Sequence, residues 1–384
     1  MRPTISSWSI WGYLPVVAAI AVVWSHSIAN AQSRAGTPLK LDTGEEIYKA
    51  ACVGCHGPDG KGQPKSTLGF EPPATFPDFT DCAGATPEPD THWATMIHEG
   101  GRSKGFSPIM PAFGDALTSE QIKLVVGYLR TLCTDQHWPQ GDMNFPRPLF
   151  TEKAFPENET VLTTAFNTTG PAGITNELVV EKRLGARTNM ELIVPGAFQK
   201  QPSGSWFGGI GDISLELKRT VFFSNRTGSI LALAGELKLP TGDANRGFGN
   251  GVTTLESFAS FGQALPRQSF VQTQFGIEGP YRRSQIPAEM FWRTAVGKTL
   301  AQDRGFGRGW TPMVETVGVR ELRPQAKIEW DVVPQMQVTL NKRQHIRANV
   351  GISVPFANTA NRATQVVFYL LWDWFDGGLR DGWK

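Results

Sequence analysis

Polar and apolar positions follow two different rhythms along this chain. Between Thr43 and Cys133 the spacing is helical: Ile122, Val125, Val126 and Leu129 recur at intervals of three and four. Two capping-box signatures start helices there, Thr43-Gly44-Glu45-Glu46 and Thr118-Ser119-Glu120-Gln121. The first predicts a helix through Ile47 and Tyr48 that delivers Cys52. The second predicts a closing helix whose apolar stripe packs on the first. From about Asn176 onward the rhythm becomes alternation, as in Asp212-Ile213-Ser214-Leu215-Glu216-Leu217-Lys218. Alternation is the period of a strand with one dry and one wet face. It recurs around Phe275, Trp330, Val350 and Phe368, with turn signals such as Ser224–Gly228 and Asn341–Gln344 between segments. Residues 134–158 follow neither period and carry Pro139, Pro146, Pro148 and Pro156, so they are expected to be a Pro-rich linker between residues 32–133 and residues 159–384.

Alternation fits either a soluble sandwich or a transmembrane barrel, and strand length separates the two. Segments of roughly nine to thirteen residues match the ~9–11 that cross a bilayer, whereas sandwich strands average about five or six. Aromatics near strand ends, Phe198, Phe222, Phe223, Trp292, Trp330, Phe368 and Trp372, suit interfacial girdles. The expected architecture is therefore an N-terminal all-α domain followed by an antiparallel transmembrane β-barrel of about twelve strands.

At 384 residues the chain has room for two domains, and 41 Gly with 27 Pro describe many turns. A net charge of +2 without basic runs points away from nucleic acid. The apolar stretch from Trp11 to Trp24, followed by Ala29-Asn30-Ala31, has the form of a signal peptide over residues 1–31. Export places the mature chain where disulfides persist.

Cys52-Val53-Gly54-Cys55-His56 is the C-x-x-C-H pattern of covalent c-type haem attachment. Each thiol can add to one porphyrin vinyl group, and the adjacent imidazole then lies beneath the iron. Structural zinc needs a second close pair of ligands, but Cys82 and Cys133 stand alone. A redox dithiol expects a βαβ context, which the flanks do not supply. Cys82 and Cys133 are expected to bridge, tying the loop after the haem motif to the end of the closing helix.

Residues 52–56, the glycine-rich Gly57–Gly62 and Pro108-Ile109-Met110-Pro111-Ala112-Phe113-Gly114 make the first domain resemble the class I monohaem cytochromes c. The resemblance implies one covalent haem c with His56 as proximal and Met110 as distal axial ligand. Prolines on both sides of Met110 form a rigid loop that can aim one side chain, and two strong axial ligands leave no open position for a substrate. Met96, read as core filler, and His98 are the rival distal ligands; His92 and His137 read as solvated surface histidines. Gly208–Leu215 and Glu236–Asp243 resemble the outer-membrane barrel family of phenol-degradation-pathway transporters.

The expected function is that of an outer-membrane-tethered cytochrome c passing single electrons. The haem domain would sit in the periplasm or at the barrel mouth, with outer-membrane lipid around the barrel. Its redox partner protein would be a periplasmic or outer-membrane cytochrome. No acid, base or nucleophile for catalysis is apparent, so an electron carrier rather than an enzyme is expected. The alternative is a porin or transporter for small apolar compounds, with the haem domain as plug or redox sensor.

Overall fold

The computed structural model describes residues 41–73, 76–200, 203–282, 286–300 and 309–374. The expected signal peptide lies outside these residues. The helical domain contains α1 (Gly44–Ala51), α2 (Val53–His56), α3 (Cys82–Ala85), α4 (Asp90–Glu99) and α5 (Ser119–Leu132). Both expected capping boxes form: Thr43 and Glu46 cap α1, and Thr118 and Gln121 cap α5. The apolar face of α5 buries Ile122, Val125, Val126 and Leu129. Its contact with α1 includes Tyr48 and Tyr128, whose rings are 5.2 Å apart. Gly44 permits this crossing, because a Cβ there would stand 2.0 Å from the Leu124 carbonyl oxygen.

The strands are β1 (Glu159–Asn167), β2 (Gly173–Arg183), β3 (Thr188–Lys200), β4 (Trp206–Ile210), β5 (Ser214–Ser224), β6 (Ser229–Lys238), β7 (Thr254–Leu265), β8 (Ser269–Pro280), β9 (Glu289–Lys298), β10 (Trp310–Glu321), β11 (Glu329–Thr339), β12 (Ile346–Ala357) and β13 (Gln365–Asp373). Each pairs antiparallel with its neighbours, and β1 pairs with β13, closing the sheet. β4 and β5 both pair with the same side of β3, at Gly196–Lys200 and Thr188–Ile193, and so act as one interrupted strand. The result is a closed antiparallel barrel of twelve strands, as the periodicity predicted. Closure removes every sheet edge.

The barrel is inside out relative to a soluble protein. Along β5, Ser214, Glu216, Lys218 and Thr220 are buried while Leu215, Leu217 and Val221 are exposed. Phe275, Ile277, Val350, Ile352, Phe368 and Leu370 likewise face outward, whereas Gln272, Gln274, Asn349 and Tyr369 face inward. An apolar exterior around a polar lumen is the arrangement lipid selects. Among the described residues no helix is long and apolar enough to cross a membrane. One expected girdle residue departs from the pattern. A bulge between Thr220 and Phe222 shifts the register of β5, and a one-residue shift reverses which face a side chain takes. Phe222 therefore points out and is 52% exposed, while Phe223 packs against the lumen cluster.

Part of the lumen is occupied from within by the chain itself. Residues 143–157, part of the expected linker, run as a strap packed against the inner wall. Met143, Phe145, Ala154 and Phe155 form an apolar cluster with Ile230, Ala232, Phe270 and Met313. A strap without strand partners needs other acceptors and donors for its backbone, and the wall provides them. Gln272 Nε2 donates to the Pro146 carbonyl (2.8 Å), Tyr369 Oη to that of Arg147 (2.6 Å), Arg293 to that of Phe150 (2.9 Å) and Thr220 to that of Ala154 (2.9 Å). Glu315 accepts from the Thr151 amide (2.6 Å), and Gln335 from that of Leu149 (3.1 Å). Charge is matched in the same way: Arg147 pairs with Glu159 (2.7 Å) and Glu181 (2.5 Å), and Lys153 with Glu157 and Glu159.

One register feature of the wall is invisible in linear sequence. Glu181, Glu191, Glu216, Glu236, Glu256, Glu278, Glu289 and Glu321 stand directly opposite one another, strand to strand, in an unbroken inward-facing row from β2 to β10. Arg147 holds Glu181, Lys218 holds Glu191 (2.5 Å), and Lys238 holds Glu278 (2.9 Å).

Candidate haem site

The haem motif sits where α1 ends and α2 begins. Cys52 closes α1, its amide bonding back to the Tyr48 carbonyl (2.8 Å), and Cys55 and His56 complete the single turn of α2. Gly57, at φ +73°, reverses the chain, and the backbone then returns past the motif. The Gly62 amide donates to the His56 carbonyl (2.8 Å), and that of Gln63 to the Cys55 carbonyl (2.9 Å). Tyr48 Oη, fully buried, reaches the Gly57 carbonyl at 2.6 Å. The motif is thus held rigidly by its own backbone.

The side chains fit the group that the motif implies. The His56 ring stacks on Phe76 at 5.1 Å and tilts against Phe79 at 5.0 Å. Its Nδ1 is buried without a hydrogen-bond partner among the described residues, and burial lowers its pKa to about 4. A neutral imidazole is the form that binds a metal. Burial, then the neighbouring Cys55, pushes the Cys52 thiol up to about 11. A redox dithiol needs the opposite shift, toward thiolate. Cys52, Cys55 and His56 would hold the haem, which when bound supplies one-electron chemistry that no side chain offers.

Met110 lies in a loop pinned to the end of α4. The Gly101 amide donates to the Met110 carbonyl (3.1 Å), that of Phe113 to Ile97 (3.0 Å) and that of Gly114 to His98 (2.9 Å). A Cβ on Gly100 would meet the Met110 carbonyl oxygen at 2.9 Å, so this close approach requires glycine. Met96 and Met110 are half-buried. His98 is exposed and engaged by Glu99 (2.7 Å). Cys82 and Cys133 form a disulfide with Cα atoms 5.2 Å apart. It joins α3 to the end of α5.

Of the two histidines expected at the surface, His137 is exposed, but His92 is not. His92 is 7% exposed; its Nδ1 donates to Glu88, and its Nε2 pairs with Gln344 at 2.6 Å. His345 Nε2 meets the same Glu88 carboxylate at 3.0 Å. Gln344 and His345 belong to the turn between β11 and β12, so the helical domain is seated on the barrel. Arg343 over Phe106 (4.3 Å), Arg183 over Trp138 (4.6 Å) and Arg187 Nε on the His137 carbonyl (3.0 Å) extend the seat. These contacts fall at the barrel end where β1 begins and β13 finishes. Sequence reasoning missed the Glu88 and His92 contacts because the partners stand about 250 positions apart and no periodicity marks them.

Residues 40–129 match a family model described as cytochrome C oxidase, cbb3-type, subunit III. The NanC porin shares 9% identity, with 56% of this chain and 98% of that one covered and a TM-score of 0.41. An outer membrane channel from Pseudomonas putida F1 shares 13% identity, with 59% and 99% covered and a TM-score of 0.41. The barrel assignment stands on its strand pairing. A cytochrome c domain at residues 40–129, followed by a closed twelve-strand antiparallel β-barrel, is what the chain contains.

Proposed function

We propose that this protein is a membrane-anchored electron carrier: one haem c, bonded through Cys52 and Cys55, with His56 and Met110 as axial ligands, in a domain that the barrel holds at the outer membrane. The observation that carries the reading is the His56 environment. A neutral imidazole, packed between Phe76 and Phe79 and set one residue after the second thiol, is suited to bind a metal. A thioether on the opposite side would favour the ferrous state and raise the potential. Outer-sphere transfer then needs only a rigid haem and an accessible edge, and no residue acts as acid, base or nucleophile.

The strap shapes the rest of the proposal. Residues 143–157 run through the lumen of a twelve-strand barrel, which supports a redox partner that meets the haem domain outside the barrel. Barrel termini of bacterial outer-membrane proteins face the periplasm, and the haem domain is seated at that end. We therefore place it in the periplasm, where a soluble or membrane-bound cytochrome can reach it. The strap across the lumen also disfavours the transporter alternative for the state described.

The test is spectroscopic. The purified outer-membrane fraction should show Soret absorption that survives denaturation, as a covalent haem does. Met110→Ala should retain the haem, lower its potential and make it bind carbon monoxide. A wild-type protein without covalent haem overturns the reading, and unchanged potential and ligand binding in Met110→Ala overturn the distal assignment.

A further inference from the structure

The turn between β11 and β12 grips the cytochrome domain at two places, and both lead to the loop that carries Met110. Arg343 lies over the Phe106 ring, its guanidinium carbon 4.3 Å from the ring centre. The next residue, Gln344, meets His92 Nε2 at 2.6 Å, and His345 Nε2 meets Glu88 at 3.0 Å. Phe106 stands four positions before Met110. His92 stands in the first turn of α4, whose far end holds the same loop.

Between these grips the backbone is packed too tightly for the Met110 main chain to move by itself. The Gly101 amide donates to the Met110 carbonyl (3.1 Å), and the Phe106 amide returns to the Gly101 carbonyl (2.9 Å). A Cβ on Gly101 would stand 2.1 Å from the Ser107 carbonyl oxygen and 3.5 Å from Met110 Cβ. The C-terminal end of α4 closes the other side, where the Ile97 and His98 carbonyls accept from the Phe113 and Gly114 amides (3.0 and 2.9 Å). A displacement of the Met110 backbone therefore carries residues 101–107 with it, and that motion pulls Phe106 from under Arg343.

We propose that the β11–β12 turn braces the distal haem ligand, with Arg343 as a positioning residue that acts through Phe106, and Gln344 fixing α4 through His92. The proposal rests on Met110 as that ligand. Its physical basis is a competition between axial ligation and loop motion: any contact made only in the packed loop is lost when Met110 withdraws, so the brace lowers the population of the open site. A guanidinium over an aromatic face changes such a population by about two- to tenfold. The apparent affinity for an added ligand scales with the population of the competent state, so carbon monoxide reads the brace directly. The barrel thus governs how firmly the haem is ligated as well as where it is held.

The test compares Arg343→Ala with wild type as the full haem-loaded chain, reduced and in detergent. Apparent carbon monoxide affinity should rise by about two- to tenfold. Hydrogen exchange, measured without carbon monoxide, should show the Gly101 and Phe106 amides losing protection by a similar factor, while peptides of α5 keep theirs. In a Phe106→Leu background Arg343→Ala should change neither quantity, because the contact is already gone. Arg187→Ala, which removes a seat contact at the His137 carbonyl of the linker (3.0 Å), should leave both at wild-type values. Unchanged protection in Arg343→Ala overturns the brace, as does its full effect in the Phe106→Leu background or an equal effect from Arg187→Ala. Met110→Ala, run alongside, separates the underlying assignment. Lost protection in Arg343→Ala without a gain in affinity, while Met110→Ala binds carbon monoxide tightly, overturns the brace and leaves the distal assignment standing. A Met110→Ala protein that binds carbon monoxide no better than wild type overturns the distal assignment and the brace with it.

Discussion

Single positions carry disproportionate weight where backbones touch or charges are enclosed. At Gly44 the first and last helices of the cytochrome domain approach so closely that an added methyl group would overlap the Leu124 carbonyl. Gly44→Ala should therefore destabilise that domain by about 1–3 kcal/mol, seen as an earlier loss of the Soret band on heating. Arg147 is the second such position. Its guanidinium joins Glu152, Glu159 and Glu181 inside the lumen at 9% side-chain exposure or less on its own side. Arg147→Ala leaves buried carboxylates uncompensated, a loss of about 3–5 kcal/mol, which should lower the temperature of heat-modifiable migration on a gel. His56 is legible from linear spacing because covalent attachment fixes its place beside the second thiol. His92 is not, because burial is decided by what covers a residue, here a turn from the far end of the chain.

Elements add effects that no residue shows alone. The disulfide between Cys82 and Cys133 closes a loop of sequence separation 51 and ties α3 to the end of α5. Its removal in Cys82→Ser, Cys133→Ser should cost the cytochrome domain about 2–4 kcal/mol, measured by denaturant unfolding followed at the haem. In the barrel, eight glutamates meet in direct cross-strand register. Like charges directly opposite destabilise a sheet by roughly 0.2–1 kcal/mol per pair. Glu256 stands between Glu236 and Glu278, so Glu256→Gln should stabilise the barrel by a comparable amount, in contrast to most substitutions of buried charge. Alternation made each strand readable, but the row emerges only from pairing. The twelve-strand count was readable too, and β4 with β5 shows why boundaries were harder: one strand position is made of two pieces separated by Gly211–Ile213.

At the scale of the whole molecule the strap decides what the barrel can do. Residues 143–157 occupy the lumen through wall-to-backbone hydrogen bonds and the cluster around Phe145 and Phe270. The intact protein should show little ion conductance in a planar bilayer. Loosening the strap with Phe145→Ala together with Arg147→Ala should raise both the size and the frequency of open events. A large steady conductance in the wild type would contradict a sealed lumen. The same strap carries the covalent link between the two domains, so the stopper and the tether are one continuous segment.

By itself the sequence determined what depends on short-range spacing: the haem motif, the two capping boxes, the alternation of long strands and hence a helical domain followed by a barrel. These are local because a helix repeats every 3.6 residues, a strand every two, and thioether attachment within five. Tertiary structure alone decided the lumen strap, the glutamate row and the contact of Glu88 and His92 with the β11–β12 turn. Each joins residues tens to hundreds of positions apart, and its stability comes from enclosure, where the cost of an unpaired charge or amide selects the partner. Pro146 and Pro148 looked like a linker because they obey no period; inside a barrel, the wall supplies the hydrogen bonds that a period would otherwise provide.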